Sequence, residues 1–217
     1  MDNVNPFVTL AATSGVPLDT LVLVLILPII VTMIAFFRQV IGIKAFGIYT
    51  PAIITFALLA TSQLKYGITI FATVIVVGTI TRYLLKKARL LYLPRVAIMI
   101  TVVGFSILLL LFVGGAWNRT GLAGVSIFPI LIMITLVEKF IAVQIEKGNR
   151  AAVILSLETL FISVIGYYIA SWPQLIRMIL HYPWISLLTI PINIFLGKWT
   201  GLRLSEYFRF RQIIKPK

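Results

Sequence analysis

The amino-acid sequence predicts an all-α polytopic membrane bundle of about seven transmembrane helices, with the N-terminus outside and the C-terminus cytoplasmic. Three observations carry this prediction. Apolar sequence runs unbroken or nearly so through 21–37, 68–81, 96–115, 125–137 and 151–170. Of the 217 residues, 60% are hydrophobic and only 12% charged, and the mean hydropathy is +1.08. A water-soluble fold of that composition would lack the polar side chains to cover itself, so the solvent must be lipid. The third observation is the distribution of bases, which alternates with the apolar runs.

Crossing ~30 Å of hydrocarbon takes about 20 helical residues. Spans are therefore predicted at 20–37, 49–63, 68–85, 95–115, 125–144, 151–170 and 184–199. They are preceded by a short extracytoplasmic segment, 1–19, and followed by a basic cytoplasmic tail, 200–217. With the N-terminus outside, one side receives Arg38 and Lys44, then Arg82, Lys86, Lys87, Arg89 and Arg95, then Lys139, Lys147 and Arg150, and last the six bases from Lys198 to Lys217. That is sixteen of nineteen; only Lys65, Arg119 and Arg177 fall opposite. The positive-inside rule accordingly selects seven spans, because six would put the tail and the other basic loops on opposite faces.

The first twenty residues contain no Lys or Arg, unlike the basic start of a signal peptide, so the first span is expected to be retained. Pro17 before it and Asp19 at its start fit a helix N-cap. Next comes FRQVIGIKAFGIYTP, in which two glycines, two bases and a Thr-Pro step interrupt an apolar stretch, so no helix runs cleanly through it. One reading is a tight interfacial turn with Pro51 opening the second helix. The other is a broken helix at membrane depth, of the kind that forms substrate sites, around Gly47, Thr50 and Pro51. Between the third and fourth spans, TRYLLKKARLLYLPR places five bases and two tyrosines where lipid headgroups lie, and suits an interfacial amphipathic stretch.

Acidic residues number only six. Glu158, in SLETLF, lies seven residues into the sixth span, about 10 Å below the interface, where a carboxylate must be paired, protonated or facing water. Arg82 and Arg95 sit at a depth from which they approach it, and Ser156 and Thr159 are candidate hydrogen-bond partners. The two readings of Glu158 are a structural carboxylate–arginine pair and a proton- or ion-coupling site. Glu138, beside Lys139, reads as a charge reaching the interface.

Catalysis has poor support, since no Gly-x-Ser-x-Gly occurs and the single histidine, His181, stands far from Glu158. With no cysteine, one histidine and few acids, no metal centre and no cofactor are expected. Nucleic acid is not expected as a partner either, because topology already accounts for the positive charge. The segment 174–182, with Leu175, Ile176, Ile179 and Leu180, suits a short helix on the outer surface, bracketed by Trp172 and Trp184. In the tail, Gly197, Thr200 and Gly201 permit close helix contact, and Arg203, Arg209 and Arg211 continue as a basic aromatic helix along the inner surface.

The tail run GKWTGLRLSEYFRFR, together with FPILIMITLVEKF, GNRAAVILSLETL and YLPRVAIMITVV, resembles the seven-transmembrane domain that bacterial proteins usually carry fused to an inactive transglutaminase-like domain. More distantly, the chain is similar to the membrane C subunit of poly-γ-glutamate (capsule) synthases. The resemblance covers roughly 38–211. It implies association with ATP-grasp ligases and γ-glutamyl or peptide material at the membrane. The residues it carries over are Gly47, Thr50, Pro51, Arg95, Glu138, Glu158 and Thr159, and in the tail Gly197, Thr200, Gly201, Arg203, Glu206 and Arg209. No catalytic role comes with them.

The expected function is a non-catalytic membrane subunit of a cell-envelope peptide or poly-γ-glutamate system in the bacterial cytoplasmic membrane. It would dock a ligase through Arg203, Glu206, Arg209 and Arg211, with a separate transglutaminase-like protein and an anionic peptide or polymer as further partners. The alternative is a stand-alone secondary transporter with a site near Thr50, Pro51 and Glu158.

Overall fold

The computed structural model describes residues 13–61, 63–85, 91–116 and 125–198. Among them are seven α-helices and no strand: α1 Leu18–Phe36, α2 Tyr49–Leu59, α3 Leu64–Leu85, α4 Tyr92–Ala116, α5 Ile127–Ala170, α6 Pro173–His181 and α7 Thr189–Gly197. A π-helical turn, Phe37–Ile41, extends α1, and a 3-10 turn, Pro183–Leu188, leads into α7. Helix α1 with its π-helical extension, α3, α4 and α5 are long and apolar enough to cross a membrane. Helix α6 and the segment 183–197 form a further candidate, bent by 101°.

Three predicted passages take a different form. Helix α5 has 44 residues, about 66 Å if straight and more than twice the hydrocarbon thickness. It holds both the fifth and the sixth predicted spans, and they are divided by a single non-helical residue, Gly148, at φ 85° and ψ 171°. The second passage is shorter than predicted, with 11 residues covering only about 16 Å. Its end is closed at Leu58, whose carbonyl accepts both the Thr61 hydroxyl (2.6 Å) and the Thr61 amide (3.2 Å). The seventh passage starts as a 3-10 turn because Pro191 has no N–H to give Leu187, so an α-helical ladder from Pro183 cannot run through it. The N-cap of α1 also differs: the cap position falls on Pro17, and no side chain bonds it. Asp19 lies inside the first turn, where its charge opposes the positive helix end without capping it.

Two compact units divide the chain, Met1–Ala52 with Val164–Lys217, and Ile53–Ser163. In the first, α1 buries Ile26, Ile30 and Ile34 on one stripe, with Leu21 buried a turn earlier, and packs against α6, the 3-10 turn and α7. Helix α6 is amphipathic: Ile179 is buried while Gln174, Arg177 and Met178 are exposed, and the exposed Trp172 and Trp184 stand at its two ends. In the second unit, α3 packs on α4. The buried face of α3 is Gly67, Ile70, Phe71, Val74, Gly78 and Thr81; that of α4 includes Val96, Met99, Val103 and Ile107.

The opposite faces expose large apolar side chains, among them Phe105, Leu108, Leu109 and Phe112 on α4. In water this would be an aggregating surface; against acyl chains it costs nothing. Hydroxyls along the helices solve the complementary problem. Thr69, Thr73, Thr79, Thr101 and Ser106 each donate to the carbonyl four residues back, at 2.7–2.9 Å, so each hydrogen is satisfied where no water is available.

Candidate functional site

The interrupted loop after α1 is built by glycine. Gly42 (φ 90°) ends the π-helical turn, and Gly47 (φ 74°) sits in a three-residue turn closed by its amide on the Ala45 carbonyl at 2.7 Å. Both positions need the left-handed region that glycine alone enters freely. Gly47 is exposed, Thr50 is half-buried, and Pro51 is buried in the first turn of α2, where its missing N–H has no helical partner to lose.

In the second unit the predicted polar residues separate by depth and by face. Glu138 and Lys139 are exposed on α5. Glu158 is half-buried, and neither it nor Arg95 is free of interactions. Ser156 and Thr159 are buried, and their hydroxyls donate to the backbone carbonyls of Ala152 (2.8 Å) and Leu155 (2.7 Å). Ser163 repeats this bond to Thr159, and its own carbonyl accepts the Thr55 hydroxyl of α2 at 3.2 Å. Ala152, Ser156, Thr159 and Ser163 thus form a small-residue packing stripe, which allows close backbone approach.

Arg82 donates through Nη1 to Asn149 Oδ1 at 2.8 Å. Arg82, Tyr83 and Leu85 at the end of α3, Arg95 at the start of α4 and Asn149 just after the Gly148 break line one cavity of ≈ 470 Å³. That volume falls within the roughly 300–1,000 Å³ of ligand sites. One turn before the break, Gln144 is fully buried, and neither its Nε2 nor its Oε1 has a hydrogen-bond partner among the described residues.

The first unit carries a polar network that the sequence reading did not anticipate. Pro28 interrupts the ladder of α1, and Thr32 returns its hydroxyl to the Pro28 carbonyl at 2.7 Å. Asn193 of α7 donates to Thr32 Oγ1 (2.6 Å) and to the Thr189 carbonyl (2.8 Å), while Ser186 donates to the Leu25 carbonyl at 2.8 Å. The signal was an amide inside TIPINIFLG, opposite a helix containing proline.

A family model described as seven transmembrane helices usually fused to an inactive transglutaminase matches residues 15–214. The chain belongs to that family. No curated protein and no solved structure matches it. Its membership agrees with the resemblance read from the motifs, and it makes the protein a multi-pass membrane protein of a family whose usual fusion partner is an inactive transglutaminase. The family is described by seven transmembrane helices; among the described residues four helices, or five with the bent pair, are long and apolar enough to cross a membrane, and α5 holds two of the predicted spans. Of the tail residues, Gly197 is exposed and a Cβ there would meet nothing within 4 Å among the described residues. Thr200, Gly201, Arg203, Glu206, Arg209 and Arg211 lie outside the described residues.

Proposed function

We propose that the protein is the integral membrane subunit of a cell-envelope peptide or poly-γ-glutamate synthesis or export system, set in the bacterial cytoplasmic membrane with its basic loops and tail inside. The observation that carries this reading is the family's usual fusion partner, a transglutaminase that is inactive. A membrane domain joined to a protein that has lost its chemistry serves to hold and place something rather than to react. The bases that this orientation gathers on the inner side, the six from Lys198 to Lys217 among them, give an acidic ligase or an anionic polymer a surface to dock on.

The test is copurification in mild detergent followed by identification of bound proteins, with an ATP-grasp ligase or a transglutaminase-like protein expected. Replacing Arg203, Arg209, Arg211, Lys215 and Lys217 by Gln should release the partner without impairing insertion, and the parent interaction should weaken as salt rises. Recovery of the protein alone at every salt concentration would refute the subunit reading.

A second reading, secondary transport, draws support from the breaks in the chain at 37–47 and at Gly148 and from the 101° bend before α7. Discontinuous helices of this kind bind ions and substrates in transporters. Coupled uptake of a small solute by liposomes containing only this protein would favour it.

A further inference from the structure

We propose that the exposed face of the first arm of α5, 127–147, is the surface through which two copies of this chain pair in the membrane, with Glu138 of each copy set against Lys139 of the other. Nothing in the subunit reading assigns this surface, and the inference does not depend on that reading.

The argument begins with depth. From Ile127 to the break at Gly148 the arm rises about 31 Å, the thickness of the hydrocarbon. Glu138 and Lys139 fall near its middle, about 15 and 13 Å from the break, farther than either side chain extends. The packing on α3 agrees, since Phe140 lies against Gly78, and Gly78 stands about 10 Å inside the end of α3. Both Glu138 and Lys139 are nevertheless exposed, and neither makes a hydrogen bond or ion pair within the chain. They cannot neutralise each other, because adjacent residues of a helix point about 100° apart. Acyl chains suit the exposed face of α4, with its Phe105, Leu108, Leu109 and Phe112, but two charges at this depth need a protein partner.

Symmetry identifies that partner as a second copy. Around the helix axis Thr135 and Ala142 fall midway between Glu138 and Lys139, and Phe128 and Leu131 continue the same stripe toward the start of the arm. Met133, Val137, Phe140 and Gln144, on the opposite side, are fully buried. Thr135 and Ala142 are small enough for two helices to approach closely, and the Thr135 hydroxyl is already satisfied by the Ile132 carbonyl at 2.7 Å. Copies with one topology are related by a two-fold axis along the membrane normal, and their contact is isologous. When that axis passes beside Thr135 and Ala142, the carboxylate flanking the stripe on one side meets the ammonium of the other copy, and the reciprocal pair forms on the other side. The two residues are one step apart along the axis, so both pairs form at one depth. A single stripe therefore satisfies all four charges without any other chain.

The chain has no cysteine, so single cysteines introduced into the full chain report contacts between copies directly. Membranes carrying Thr135→Cys, Ala142→Cys or, as control, Phe105→Cys are oxidised with copper phenanthroline, and the disulfide-linked dimer is measured on a denaturing gel. Thr135→Cys and Ala142→Cys are expected to cross-link at least tenfold more than Phe105→Cys. In the Thr135→Cys background, Glu138→Lys and Lys139→Glu should each lower the dimer by at least tenfold, since each puts like charges face to face. Co-expressing the two with different tags should restore a dimer that carries both tags, because every pair is then opposite in sign; the exchange of both charges in one chain should restore it as well. Cross-linking at 135 and 142 no stronger than at 105, a linked product containing a different protein, or single charge variants that pair as well as the parent overturns the proposal. The comparison of the three cysteine positions decides the question even if the charge variants insert poorly.

Discussion

Replacing Gly148 by alanine tests whether the division of α5 depends on backbone conformation alone. Gly148 holds φ 85° and ψ 171°, a region that is essentially glycine-only, where any other residue is strained by about 1–3 kcal/mol. A Cβ there would touch nothing within 4 Å among the described residues, so none of them adds a clash to the strain. Alanine also restricts the unfolded chain, which returns about 0.4–1 kcal/mol. The net expected loss is about 1–2 kcal/mol, a factor of roughly 5–30 in the folded ratio.

Escape into a continuous helix is closed to the variant. A 44-residue rod about 66 Å long would push one apolar half out of the hydrocarbon, at a cost on the order of tens of kcal/mol of exposed side chains. Gly104 is the control: it is inside α4, has no positive φ, and a Cβ there also meets nothing within 4 Å among the described residues. Gly104→Ala should therefore stabilise by about 0.5–1 kcal/mol, so the same chemical change has opposite signs at the two sites. Reversible unfolding in detergent micelles measures both. A Gly148→Ala protein as stable as the parent or more so would refute the argument.

Asn193→Leu and Thr32→Val should each destabilise by about 0.5–1.5 kcal/mol in the same assay, and the double variant should lose less than their sum because they share one bond. Glu158→Gln should cost less than Glu158→Ala, since an amide keeps hydrogen bonds that a methyl cannot; two variants as stable as the parent but without function would instead show ion coupling. For topology, a reporter fused at the C-terminus should be active in the cytoplasm and one inserted at Asn118 should report the outside, and opposite results at both sites would remove the proposed orientation.

The long helices were legible because a lipid-facing helix needs little more than an unbroken apolar run, and α1, α3 and α4 each fall close to the predicted bounds. Chain interruptions were legible as places but not as geometries. EKGNR marks a break between two spans, yet the sequence does not say that the whole reversal from helical conformation takes one residue, because Glu146, Lys147 and Asn149 are equally at home in a helix and in a loop. Pro183 and Pro191 similarly mark the seventh passage as irregular without fixing where the α-ladder begins.

Polar contacts were read less well, since they depend on which helices become neighbours. Asn193 looked like one amide in an apolar run, and only its distance to Thr32 makes it part of a network. Gln144 gave no signal at all, because nothing in its local sequence says that it is fully buried. Ser156 and Thr159 were candidate hydrogen-bond partners of Glu158, and the hydrogen of each hydroxyl goes to the carbonyl one turn back on the same helix.

The hydroxyls that bond to their own helix bear on how the bundle can move. A helix whose donors are satisfied internally carries its hydrogen bonds with it, so it can rotate or slide against acyl chains and apolar neighbours without breaking any of them. Bonds that join separate elements, such as Thr55 to Ser163, Ser186 to Leu25 and Asn193 to Thr32, behave differently: they must be given up before the joined elements shift. The first kind acts as lubrication and the second as a set of latches, and the latches sit where short or interrupted helices meet long ones.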